Sequence, residues 1–421
     1  MGGADQPATR RRAWGRAALV VAVVLAVLVG SGLVLYRVFA PAEVVAPATR
    51  PYPAKPPTAT PGVIGTLAAA PLIVDGRLRV YATTRQIRAD LPVDARTQRS
   101  PFWSYRRWPA QVTGVVAVGT TVVGRWSDGL LVGLDARTGR VAWKAAGPAP
   151  QTAAYTGRRT GAATVYDPDG LLTTGGIVIS RGAREVIAVD AAGGRTRWRL
   201  ADPPARDCRL GEFTTAAGRY AVADSCANTL NLHDAATGRL ATAWQAVASA
   251  TPLGCRVGHS QCAGMRVERA GAAEGWLLRG AEPTRAPVLD GADTWLAEDV
   301  AMSPGTSGDL VGRRASDGGR LWIWRPGTVA PEGRARVIAA QPGRVHLLTA
   351  GYTLVTLDAE TGVELSRFLF TYGRERTGWE LGFAYAAHGF VLVERLTAGV
   401  PATAPDDEFY FIAQPVLLAG T

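Results

Sequence analysis

Four cysteines, Cys208, Cys226, Cys255 and Cys262, are the most reactive side chains in this chain of 421 residues. An even number in an exported domain reads as two disulfides, with three pairings open. Cys208–Cys226 with Cys255–Cys262 is favoured, because each pair flanks a short segment that can turn back on itself, on either side of a hairpin at Asp234. The run Cys255-Arg-Val-Gly-His259-Ser-Gln-Cys262 also has a spacing suited to a soft metal, but it supplies only three ligands. Other chemistry is sparse. Asp406-Asp407-Glu408 could hold Ca²⁺ and reads better as a solvated turn, and Asp167-x-Asp169-Gly170 lacks the rest of a calcium loop. His233, His346 and His388 fall in or beside apparent strands with no Ser or Cys recommended as a partner. The sequence therefore offers no catalytic, cofactor-binding or metal-binding residue.

The elements that would position these side chains follow a repeat. Leu131-Val-Gly-Leu-Asp135-Ala-Arg-Thr-Gly139-Arg-Val-Ala-Trp143 is an apolar strand ended by an Asp whose carboxylate can accept turn N–H groups. Gly139 then stands where a hairpin needs φ > 0, and Trp143 supplies a packing plate. The phrase returns at Asp190, Gly194 and Trp198, then at Asp234 and Gly238 with the Trp slipped to Trp244. It returns again at Gly318 and Trp322, where Arg314 replaces the Asp and the two glycines Gly318 and Gly319 are left to hold the turn. The last copy has Asp358 and Gly362, with Phe368 and Phe370 in place of Trp, and a worn copy at Asp94 to Trp103 comes before all of them. A decayed copy near Trp276 to Leu289 fills the one double interval. A period of about 40–45 residues with four short strands is that of a β-propeller.

The phrase Asp-Ala-x-Thr-Gly-x-x-x-Trp resembles the PQQ-like repeat of the quinoprotein-type propellers, matched at Asp135 to Trp143 and closely at Asp190 to Trp198. The resemblance covers roughly residues 62–421. It implies a closed propeller, and it spans both quinone-dependent dehydrogenases and scaffolds such as the BamB lipoprotein. A dehydrogenase of this kind would need a stacking Trp, an Arg or Lys at the quinone oxygens, a carboxylate base and a Ca²⁺ site. The sequence lacks the adjacent Cys pair that many of them carry, and its Trp residues recur at repeat positions.

The fold class expected is all-β: a single propeller of seven or eight four-stranded blades over 62–421, preceded by one N-terminal transmembrane helix. Residues 1–16 read as a basic cytoplasmic tail, with Arg10, Arg11, Arg12 and Arg16 against Asp5. Residues 17–39 read as an uncleaved signal-anchor, since Ala17 to Tyr36 carry no charge and could span about 30 Å. Basic residues ahead of the span place the propeller outside the cytoplasmic membrane. Residues 40–61, with seven prolines between Pro41 and Pro61, read as an extended extracytoplasmic linker able neither to form helix nor to join a sheet. The segment from Gly147 to Gly176 reads as a surface loop that tolerates length, with a binding loop as the alternative.

The net charge is +11, yet the chain has only two lysines, Lys55 and Lys144, and no basic run interleaved with aromatics. Nucleic acid is not expected as a partner. The function expected is a non-enzymatic binding or scaffold module for a partner protein or envelope ligand, without a cofactor. The alternative is a divergent oxidoreductase dependent on pyrroloquinoline quinone and Ca²⁺.

Overall fold

The computed structural model describes residues 21–33, 37, 40–201, 206–305, 308–326, 335–375 and 377–421. Among them no helix is long and apolar enough to cross a membrane. This overturns the single-pass anchor expected over 17–39, and with it the cytoplasmic-membrane location. Helix α1 is described over 21–33. The basic tail expected over 1–16 and the start of the span lie outside the described residues.

Eight antiparallel sheets follow one another around a ring. Blades 1 to 7 cover residues 72–108, 112–146, 171–201, 209–245, 247–285, 295–324 and 336–369. Blade 8 takes its first three strands from 379–420 and its fourth from Gly62–Leu67, which pairs with Val416–Gly420. The two ends of the ring thus share one sheet, which settles the count at eight. First strands are buried on both sides, as in Leu72–Val74 and Leu171–Thr174, whereas fourth strands such as Val141–Ala146 bury alternate residues. That gradient follows from radial stacking, in which sheets cover one another's faces and leave only the outer edge to water. The core is accordingly a series of clusters between neighbouring blades, the largest uniting blades 1, 2 and 8 around Trp103, Trp126, Phe390 and Tyr166.

The repeat phrase is the joint between blades. In its turn the Asp135 carboxylate accepts the Arg137 N–H at 3.0 Å and the Thr138 hydroxyl at 3.0 Å. Asp190, Asp234 and Asp358 accept the equivalent N–H groups. The following alanine is buried and gives its carbonyl to the Trp of the blade before. Trp103 Nε1 donates to Ala136 O at 2.8 Å, Trp143 to Ala191 O at 2.9 Å, Trp198 to Ala235 O at 2.7 Å and Trp322 to Ala359 O at 3.1 Å. Each indole also covers the turn glycine of the next blade: a Cβ on Gly194 would stand 2.5 Å from the Trp143 ring.

Departures from the phrase have local causes. The Arg314 turn is not held by glycines alone, because Asp317 accepts the Gly319 N–H at 2.8 Å and pairs with Arg314 at 2.8 Å. The acid has moved three places along and still does the same work. In blade 1 the pairing Ala89↔Trp103 corresponds to Gly133↔Trp143, so the position equivalent to Asp135 is Leu91, not Asp94. A longer turn is fixed there by buried Arg79, which grips Asp90 at 2.8 Å and 3.0 Å and donates to the carbonyls of Ala95 and Thr97. Blade 5 keeps only Thr284–Arg285 as its fourth strand, followed by a 3-10 turn at Pro287–Leu289.

The proline-rich segment does not stand off as a spacer. Ala42–Ala46, which contains no proline, pairs along its length with Trp103–Trp108 as a fifth strand on the outer edge of blade 1. The chain then runs inward over the ring, with the Ala48 N–H on Thr138 O at 2.9 Å, Tyr52 Oη on Asp75 at 3.1 Å and Arg77 on Pro53 O at 3.2 Å. Proline excludes sheet pairing only where an N–H is needed. Here six of the seven prolines lie on the strap after the strand, and Pro41 lies just before it.

Candidate functional site

The hairpins joining first and second strands turn toward the axis on one face of the ring. Two of them are two-residue turns with both residues at positive φ, Gly175–Gly176 between Thr174 and Ile177 and His388–Gly389 between Ala387 and Phe390. Such turns match strand twist and end the strands abruptly. Together with those of blades 1, 2 and 7 they rim a funnel of about 850 Å³. Leu72, Val116, Leu171, Tyr385 and Phe390 are among its apolar walls.

Two elements close the rest of the axis. From the opposite face comes the 147–170 connection between blades 2 and 3, which carries helix α2 (Ala162–Tyr166). Tyr166 is buried, stacks on Tyr385 at 4.8 Å and donates to Pro71 O at 3.0 Å. Ahead of α2, the Thr160 hydroxyl donates to the buried Glu394 carboxylate at 2.6 Å, and the Arg159 N–H donates to Asp406 at 3.0 Å. The Arg158 and Arg159 guanidiniums lie over Phe409 and Tyr410. Burial holds the Glu394 carboxyl above its ordinary range, with Thr160, the Phe383 N–H and Tyr410 opposing. The expected surface loop is therefore a plug, docked on blades 8, 1 and 2. Asp406 is its latch, while Asp407 and Glu408 stay exposed, as a solvated turn would have them.

The second element is the Cys255–Cys262 loop of blade 5. Both disulfides form with the favoured pairing, Cys208–Cys226 and Cys255–Cys262. The loop lies across the ends of blades 3 and 4, with the Thr214 N–H on His259 O at 2.9 Å, the Cys262 N–H on Thr214 O at 2.8 Å and the Thr173 N–H on Ser260 Oγ at 3.0 Å. At its tip Gly258 has φ +52, and a Cβ there would stand 2.6 Å from Tyr166 O. Loop and plug thus meet at the axis, and the funnel is left open at one end only.

Lys55, Arg256, Arg344, His259 and His388 line the funnel, against Asp75 and Asp167. Asp75 is taken by Tyr52 and by Arg77 at 3.3 Å, and Asp167 faces His259 at 3.7 Å. Arg344 donates to the carbonyl of Thr421. Burial, then Lys55, lowers the His388 pKa; Arg256 adds to this and Asp75 opposes it.

Of the histidines noted in the sequence, His388 reaches the funnel, His233 donates from Nδ1–H to Gly238 O within its own hairpin, and His346 is buried between Gln341 and Thr356. Sequence reasoning missed Lys55 and Arg256, whose neighbours are strap and loop residues without a repeat pattern. The residues do not fit a quinone with Ca²⁺. Trp143, Trp198 and Trp322 are committed between blades, and no tryptophan lines the funnel. Among the described residues the one cluster of three His, Cys or acidic side chains is Cys208, Asp224 and Cys226, where both sulfurs are already bonded to each other.

The family model described as outer membrane protein assembly factor BamB matches residues 49–145, which span the strap and blades 1 and 2. The chain is an eight-bladed β-propeller whose residues 49–145 are similar to that family. Its fold is similar to BamB from Moraxella catarrhalis, at 15% identity over 86% of this chain and 98% of that one, with a TM-score of 0.44. It is also similar to the computationally designed Ika8 protein, at 13% identity over 85% and 99%, with a TM-score of 0.47. A europium-containing methanol dehydrogenase is similar at 12% identity over 86% and 92%, with a TM-score of 0.45. Among curated proteins no sequence matches this chain.

Proposed function

We propose that this propeller is a non-enzymatic binding module whose site is the plugged funnel, serving a partner protein or a ligand that enters from the open face. The observation that carries this reading is the closure of the axis by α2 and the Cys255–Cys262 loop. It leaves a recess lined by Lys55, Arg256 and Arg344 against Asp75 and Asp167, with the Ser260 hydroxyl already accepting the Thr173 N–H. A recess of about 850 Å³ lies in the range of small-ligand sites, ~300–1,000 Å³. The matched family model is described as an assembly factor, which agrees with a role in binding.

The test is calorimetric titration with pyrroloquinoline quinone plus Ca²⁺, beside crosslinking from a photoreactive residue at Thr120 on the rim. The expected result is no quinone binding and a crosslinked partner or ligand from Thr120, but none from the same probe at Arg239 on the outer edge. Stoichiometric quinone binding with turnover of an alcohol would replace this reading with the oxidoreductase.

A further inference from the structure

We propose that the funnel takes a small amphipathic carboxylate, its head group held by Lys55, Arg256 and His388 and its apolar body on the inner-strand side chains below. The proposal deepens the binding-module reading and rests on it.

The three groups come from three separate elements. Lys55 is on the strap, Arg256 on the disulfide loop and His388 on the first hairpin of blade 8. Lys55 and His388 flank the same turn, since a Cβ on Gly76 would stand 3.2 Å from Lys55 Cε and 3.3 Å from His388 Cβ. Arg256 is close enough for its charge to act on His388 and on Tyr385. Among the described residues no ion pair or side-chain hydrogen bond occupies Lys55 or Arg256. The nearby carboxylate, Asp75, is already shared by Tyr52 and Arg77. Gathering like charges at the mouth of a low-dielectric recess is unfavourable in the empty protein, and an entering anion relieves it.

The charge count selects the kind of anion. With His388 neutral, the lining has one more cation than carboxylate: Lys55, Arg256 and Arg344 against Asp75 and Asp167. That suits a monoanion better than a phosphate. Beneath the mouth lie Leu72, Val116, Leu171, Tyr385 and Phe390, which offer hydrocarbon contact. The Cys255–Cys262 bridge closes the loop that carries Arg256, so the site needs the oxidised protein.

Binding has a proton signature. His388 faces Lys55, Arg256 and Asp75. A bound carboxylate offsets the first two, raises the His388 pKa toward its ordinary value and draws in a proton near that pH.

The experiment is calorimetry on the full chain with octanoate, and with octanol as the neutral analogue, in two buffers of different ionisation heat. Octanoate is expected to bind on the order of tenfold tighter than octanol, with proton uptake that disappears in His388→Gln. Lys55→Gln and Arg256→Gln should each weaken octanoate several-fold, as should the Cys255→Ser/Cys262→Ser variant. Arg140→Gln, on the outer edge, should change nothing. Equal binding of octanol and octanoate, no binding of octanoate, or full affinity in the Lys55→Gln/Arg256→Gln double variant with an unchanged melting temperature would overturn the proposal. Those outcomes would leave the binding-module reading standing if Thr120 still crosslinks and no quinone turns over.

Discussion

Trp143 and Gly194 show how much one residue pair decides. The indole lies between Gly133 of its own blade and Gly194 of the next, where a Cβ would approach to 2.2 Å and 2.5 Å. Gly194→Ala adds a clash to a residue at φ +69 and is expected to cost about 1–3 kcal/mol, read as a fall in melting temperature. Trp143→Phe should cost about 1–2 kcal/mol beyond lost packing, because the Ala191 carbonyl loses its buried donor. His346 is the second residue-scale test. Gln341 donates to its Nε2, so Nδ1–H donates to Thr356. Burial, with Arg344, pushes its pKa down to about 3. The unfolded chain, with an ordinary histidine pKa of about 6.5, then binds more protons than the folded one between those values. Stability present above about pH 6.5 is lost as pH falls through that window. His346→Asn is expected to flatten the pH dependence of the unfolding free energy there, and an unchanged slope would refute the assignment.

At the scale of elements, the strap and the plug do what no repeat residue announces. Ala42–Ala46 covers the outer edge of blade 1, helped by Glu43 against Arg107 at 3.4 Å and Lys144 at 2.5 Å. Removing residues up to 46 should expose the amides of Trp103–Trp108 to hydrogen exchange while blades 3 to 6 keep their protection. Exchange that rises evenly over the ring would mean that the strand is part of the fold rather than a cover. The plug depends on Thr160 and Glu394, and Thr160→Val leaves a buried carboxyl short of a donor. The expected cost is about 1–3 kcal/mol, together with easier proteolysis between 147 and 170. The repeat phrases were legible because each acts within a hairpin and one neighbour. Plug and strap were not, because Gly, Ala and Pro fix no period, and their partners lie up to 253 residues away, as for Arg159 and Ile412.

For the whole molecule, closure is the decisive contact. Val416–Gly420 lies between Gly62–Leu67 and Phe390–Thr397, so one strand joins the two ends of the chain. Truncation after residue 415 removes it and leaves blade 8 with an isolated edge strand. Because blades bury only each other's faces, the truncated ring is expected to melt in a broad transition in place of a cooperative one, followed by circular dichroism. A sharp transition at the original temperature would show that the ring closes without the shared blade.

The sequence by itself determined the all-β repeat and the Asp-to-Trp joint, because strand alternation and turn chemistry act over a few residues, and it favoured one cysteine pairing that the structure then fixed. It could not fix the blade count until the two ends were seen in one sheet. It suggested a membrane span from apolar length alone, and among the described residues no helix is long and apolar enough for one. Only the tertiary structure decided that Lys55, Arg256 and His388, from a strap, a loop and a hairpin, share one recess. Closing the ring brings distant segments to its axis, and their sequences need only be compatible with docking there.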